Sequence, residues 1–287
     1  MIRWLTTASM AAAIFLAVPS VSRAQAITDL NAPVEKGSSL TFIKLVSKIF
    51  KGVRDDRALG NLVTSSDKVF RRIGAKERTV LPAETPLTSF HAIRVRGDGR
   101  RYLILMIGAE TGATDVPGGG ASVVAVFSEG SEEPRDVAEV KTDAFCFFGE
   151  APPLAVGPDD VFTVVNHHFN SNQAYLDTAL YRIQGGRLQL IDSIFTLTVG
   201  GICEKSFEEI LTWRTEQDGG APYPKIVASV ALTRGPGKNE SSECLQRGLK
   251  PRREKFSETY RWNKAGNHYI SGGQGFEALE RFNEKNI

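Results

Sequence analysis

Val164 to Ile183 reads VVNHHFNSNQAYLDTALYRI, and the parsing of this stretch decides the fold. Val161–Phe169 and Gln173–Ile183 are rich in β-branched and aromatic residues, and Asn170-Ser171-Asn172 between them is turn chemistry. So short a connection forces antiparallel pairing, because parallel neighbours need a crossover of about a dozen residues. The stretch is therefore read as a hairpin.

Working outward, the same grammar repeats. Gly185-Gly186, Gly200-Gly201 and Asp218-Gly219-Gly220 punctuate strand runs at Arg187–Leu197, Cys203–Gln217 and Lys225–Arg234. Upstream, Gly97-Asp98-Gly99 separates Ser89–Arg96 from Arg100–Gly108, followed by Ala121–Ser128 and Asp136–Lys141. Downstream, Phe256–Asn263 and His268–Ser271 form a closing hairpin, and Phe276, Leu279 and Phe282 mark a short C-terminal helix. The expected fold is mainly β, an antiparallel meander closing into a sandwich or barrel-like domain. Turn spacing also fits an irregular β-propeller, the alternative, although no segment recurs at a fixed blade period.

An amphipathic helix is expected over Ser38–Val53, where Phe42, Leu45, Val46, Ile49 and Val53 share a stripe and Lys44, Lys48 and Lys51 lie outside it. Ser38 or Ser39 would cap it, and its apolar stripe would pack on the sheet rather than on a membrane surface. Ser66–Ile73 is read as a second short helix, so the N-terminal helical segment spans residues 38–73.

The first 26 residues have the form of a secretory signal peptide. Arg3 precedes an apolar run, Leu5–Val18, and Ala24-Gln25-Ala26 is an A-x-A end, with cleavage expected after Ala26. The run falls short of the roughly 20 residues that span a bilayer. Residues 27–287 would then be one exported domain, periplasmic or secreted, with no membrane-spanning segment after signal removal. Arg3 and Arg23 leave with the signal, so 35 basic and 33 acidic side chains become 33 of each. That balance argues against a nucleic-acid partner, which requires a positive excess to displace counterions. The partner expected instead is an envelope or extracellular protein or polymer.

Three cysteines permit one disulfide in an oxidising compartment. Cys203–Cys244 is expected, because a hairpin turning at Asp218-Gly219-Gly220 brings Cys203 opposite a position near Cys244, and a pairing through Cys146 is the alternative. Cys146, set among aromatics in AFCFFG, reads as a small buried hydrophobe.

Motifs for chemistry are absent: no HExxH, GxSxG, phosphate-binding loop or calcium loop occurs, and no cofactor is expected. Ser271-Gly272-Gly273-Gln274-Gly275 is glycine-rich but follows a hairpin and reads as a turn. On a strand His167 and His168 point to opposite faces, so they do not form a metal pair. Asn166, His168 and Asn170 are the candidate ligand-binding residues, at the loop tips where exposed function concentrates. Gly108–Gly120 and Lys238–Lys255, which carries the basic run Arg247, Lys250, Arg252, Arg253 and Lys255, are candidate neighbouring tips. The expected role is non-catalytic binding or interaction. The alternative is an extracytoplasmic hydrolase built from His167 or His168 with Asp159, Asp160 or Asp177.

Overall fold

The computed structural model describes residues 24–56, 61–110, 120–140, 145–169, 174–198, 207–235 and 252–286. Cys203, Cys244 and Asn170 lie outside them, as do the expected loop tips 111–119, 171–172 and 238–251.

Among the described residues the chain forms one short helix, three β-sheets and a terminal helix. β1 (Gln25–Ala26) precedes α1 (Phe42–Ile49). β2 (Arg54–Asp56), β3 (Asn61–Val63), β4 (Lys68–Arg72), β5 (Arg78–Leu81), β6 (Pro86–Gly97), β7 (Arg100–Glu110), β8 (Gly120–Ser128) and β9 (Pro134–Val140) complete the first sheet. Its order is β2-β3-β6-β7-β8-β9-β4-β5, with β1 beside β6. The second sheet contains β10 (Phe145–Phe148), β11 (Leu154–Val156), β12 (Asp159–Phe169), β13 (Ala174–Gln184) and β14 (Arg187–Leu197). The third runs β15 (Phe207–Glu216), β16 (Lys225–Arg234), β17 (Arg252–Asn263) and β18 (His268–Ser271), and α2 (Glu277–Asn283) follows. Strand pairs are antiparallel except β4 with β9, which run parallel.

The sheets do not close into a barrel. They stack in chain order, each strand sending alternate side chains to opposite layers. On one face of the first sheet Leu103, Leu105, Ile107, Val123 and Phe127 pack against Leu45, Val46 and Phe50 at α1. On its other face Ile93, Ile104, Met106, Val124 and Val126 meet Phe148, Phe162, Val164, Tyr181 and Ile183 of the second sheet. The far face of the second sheet, through Val161, Leu180 and Ile194, meets Ile226, Val230 and Tyr260, with Leu279 of α2 beside them. Where the first two sheets approach closest, Gly97 is required: a Cβ there would stand 2.7 Å from the Ile183 Cβ and 2.9 Å from its carbonyl.

The helical segment expected over residues 38–73 is corrected. The helix spans only Phe42–Ile49, starting at Thr41, and Lys68–Arg72 is a strand. Val69, Phe70 and Ile73 mimic helical spacing, yet in the strand Val69 points to solvent while Phe70 packs inward beside Phe50. The two-residue turn at Asp98-Gly99 is as the sequence predicts, both residues taking positive φ (51° and 68°), the pattern of a type I′ hairpin.

Polar ties fasten the layers at their turn ends. Asp136 accepts from the Arg71 guanidinium and from the Leu188 N–H at 2.8 Å, and Arg71 Nη2 also donates to the Leu188 carbonyl, joining first sheet to second. Tyr260 donates to Asp192 at 2.6 Å, joining second to third.

Glu209 fastens α2 to the sheets. Its Oε2 accepts from the Leu197 N–H at 2.8 Å and from Asn283 Nδ2 at 3.2 Å, and its Oε1 has no hydrogen-bond partner among the described residues. Burial pushes this carboxyl above its ordinary range, outweighing those two donors. The folded chain therefore binds more protons than the unfolded one between the ordinary and the raised values, and stability falls as pH rises through that window. Glu209→Gln keeps an acceptor oxygen and removes the buried charge. Urea midpoints from about pH 5 to about pH 8 should show the variant gaining on the native protein as pH rises. A constant difference across that range would refute the assignment.

Candidate functional site

The central strand β12 decides which polar side chains meet. Its alternation sends Asn166 and His168 toward the first sheet and His167 the other way, against the Phe145 ring at 6.5 Å. The two imidazoles thus lie on opposite faces. Register then aligns a row across the second sheet: Cys146 opposite Asn166, Asn166 opposite Asp177, and Asp177 opposite Phe195. The next rung places His168 opposite Tyr175, and their rings stack at 4.5 Å and 9°. Tyr175 in turn lies 4.7 Å from Phe195. Ser193 donates its hydroxyl to Asp177. Asn166, His168 and Asp177 are all buried.

At the Cys146 end of this row, the edge of the first sheet leaves a gap. A cleft of about 520 Å³ lies between the layers, lined by His91, Gly108, Glu110 and Ser122 on one wall and Cys146 on the other. Gly108 on this wall lies close against Ser89 of the neighbouring strand, whose hydroxyl a Cβ there would meet. Burial holds the His91 imidazole below its ordinary range, so it is neutral at physiological pH, with one nitrogen a donor and the other an acceptor. Deeper in, burial pushes the Tyr181 phenol up, which keeps its proton in place.

The remaining candidate residues are placed elsewhere. Asp159 and Asp160 begin β12 and lie roughly 26–30 Å along the strand from His168. Asp160 pairs with Arg96, Oδ1 to Nη2 at 2.7 Å. Asp159 accepts from the Tyr223 hydroxyl and the Gly99 N–H, each at 3.0 Å, and faces Arg182 Nη2 at 3.5 Å. Neither aspartate joins a histidine, whereas Asp177 shares the face of His168. The glycine run Ser271–Gly275 curls around a carboxylate from its own chain: Glu258 accepts from the N–H groups of Gly272, Gly273 and Gly275 at 2.8–3.3 Å. Burial alone would raise Glu258, but the donors at Gly275, Thr259 and Gly273 and the Ser271 hydroxyl hold it below its ordinary range.

Asn166 and His168, the ligand-binding residues expected from the sequence, are not among the residues that line the cleft, and sequence reasoning did not single out His91 and Ser122, which are. His91 and Ser122 sit in ordinary strand runs, and only the stacking of the layers brings them near Cys146. Among the described residues no three His, Cys, Asp or Glu side chains gather as a metal site would require. No helix among them is long and apolar enough to cross a membrane. Comparison with known proteins finds no family model, curated protein or solved structure that matches the chain.

Proposed function

We propose that the protein is an exported, non-catalytic binding module, acting in the periplasm or at the cell exterior, that takes a small polar ligand into the cleft between its first two sheets. The observation that carries this reading is the cleft itself. Its volume lies within the range of small-molecule pockets, about 300–1,000 Å³, and hydrogen-bonding groups converge on a largely apolar frame. Neutral His91 and the Ser122 hydroxyl supply directed donors and acceptors, and Glu110 adds one acidic side chain to the same wall. A module suits these groups better than a hydrolase. Asp177 accepts a hydrogen bond from the Ser193 hydroxyl directly, and His168 lies flat against Tyr175, whereas a nucleophilic serine donates to an imidazole that takes its proton.

Export rests on the basic start, apolar centre and A-x-A end of the first 26 residues. Gln25 and Ala26 pair with Ala92 and His91, on the strand that lines the cleft. Processing after Ala26 removes that short pairing and leaves the His91 stretch of β6 as an open edge.

The test is native mass spectrometry of the protein purified from the exporting cell's envelope fraction, beside Gly108→Leu, which fills the cleft. A small adduct on the native protein and its loss from the variant are expected, together with an intact mass starting at Ile27. Turnover of model esters that disappears in His168→Ala would replace this reading with the hydrolase, and an equal adduct on both proteins would place binding elsewhere.

A further inference from the structure

A second depression lies on the opposite side of the second sheet's edge, away from that cleft. It has a volume of about 380 Å³, follows β14 along Leu188–Ile191, and is lined by Arg71, Arg182, His268 and Tyr269. Arg182 is its unusual member. The side chain is 3% exposed, and the guanidinium carbon sits 4.5 Å from the Trp262 ring centre and 5.4 Å from that of Tyr223. Nη2 faces Asp159 at 3.5 Å and the guanidinium also interacts with the Tyr223 side chain, while Nε and Nη1 have no hydrogen-bond partner among the described residues. Arginine stays protonated in proteins, and burying an ionised donor without a partner is strongly unfavourable. Native structures answer such groups with water or an anion.

The surroundings favour the anion. Arg71 stands at the same groove, fixed in place by Asp136 and the Leu188 carbonyl. His268 is oriented by its Nδ1 contact with the Gly266 carbonyl at 2.8 Å, and this part of the turn is open to solvent. The strand edge is irregular here: pairing steps from Leu180–Asp192 to Tyr181–Leu190, leaving Ile191 as a bulge. Bulges of this kind are over-represented beside binding sites and discourage another strand from adding at the edge. Because Asp159 and Asp136 balance the two arginines, recognition rests on directed donors rather than on net positive charge. Arginine is also the side chain whose donors match planar and tetrahedral oxyanions.

We propose that this groove binds a small oxyanion, a phosphoryl or carboxylate group, through the unfilled donors of Arg182. The proposal is independent of the ligand assigned to the cleft between the first two sheets.

The experiment is thermal unfolding of the full chain titrated with inorganic phosphate and, separately, with acetate, against chloride at matched ionic strength. A saturable rise in Tm with one of the two anions is expected, and the anion that produces it identifies the chemistry. Arg182→Gln should abolish the rise. His268→Glu, an exposed change that leaves the core intact and sets a negative charge at the groove, should weaken apparent affinity at least about tenfold. His268→Glu decides the matter even if Arg182→Gln does not fold. A Tm that follows ionic strength alone, or a saturable rise undiminished in His268→Glu, overturns the proposal.

Discussion

Asp159→Ala is expected to destabilise the protein by about 3–5 kcal/mol, because it strands a buried guanidinium. Asp159 and Arg182 are 1% and 3% exposed in their side chains, and the carboxylate is the one acidic group within reach of Arg182 among the described residues. The same carboxylate accepts from Tyr223 and from the Gly99 N–H, so its removal also orphans donors from two neighbouring layers. Two controls separate charge from packing. Asp159→Asn keeps one acceptor oxygen, which serves either the Gly99 N–H or the Tyr223 hydroxyl but not both, and should recover part of the loss. Arg182→Met keeps an unbranched side chain at this position and removes the charge, and combining it with Asp159→Ala should cost clearly less than the two single changes added together. Denaturant midpoints measure all four proteins. Simple additivity would mean that the two charges do not depend on each other.

Phe162→Ala is expected to cost about 3–5 kcal/mol by opening a cavity between the first and second sheets. Phe162 is 2% exposed at the middle of β12, with its ring 6.0 Å from both Phe148 and Tyr181, the first edge-on and the second stacked. These rings fill the space in front of Ile104 and Val124 of the first sheet. The matched control is Ile210→Ala on β15, where the side chain is 51% exposed and the change should stay within about 0.5 kcal/mol. Urea unfolding compares them. A loss below about 1 kcal/mol for Phe162→Ala would mean that the two sheets are not held together by this contact.

The meander was legible in the sequence wherever long β-branched runs meet glycine pairs. Arg187–Leu197, Lys225–Arg234 and His268–Ser271 form strands with the same limits that their residues suggest. Alternation along β12 likewise separates His167 from His168. Residues 54–81 were less readable: their strands are three to five residues long, too short for a period of two to show. In Lys68–Arg72, two adjacent apolar residues imitate a helical stripe although only Phe70 enters the core. The stacking of layers left no trace in any local pattern. The pairing of Arg182 with Asp159 and the facing of Cys146 by His91 and Ser122 depend on that stacking, so no single segment announces them. Glu258 shows the reverse: its glycine-rich partner is conspicuous in sequence, but nothing local marks which carboxylate it holds.

Each sheet is drawn from one uninterrupted span of chain, and the layers follow one another in the order in which a ribosome makes them. A polypeptide delivered amino end first can therefore finish a layer before the next one exists, with that finished surface ready as its template. Few partners have to wait for residues still to come, which shortens the time that bare strand edges spend available to other molecules.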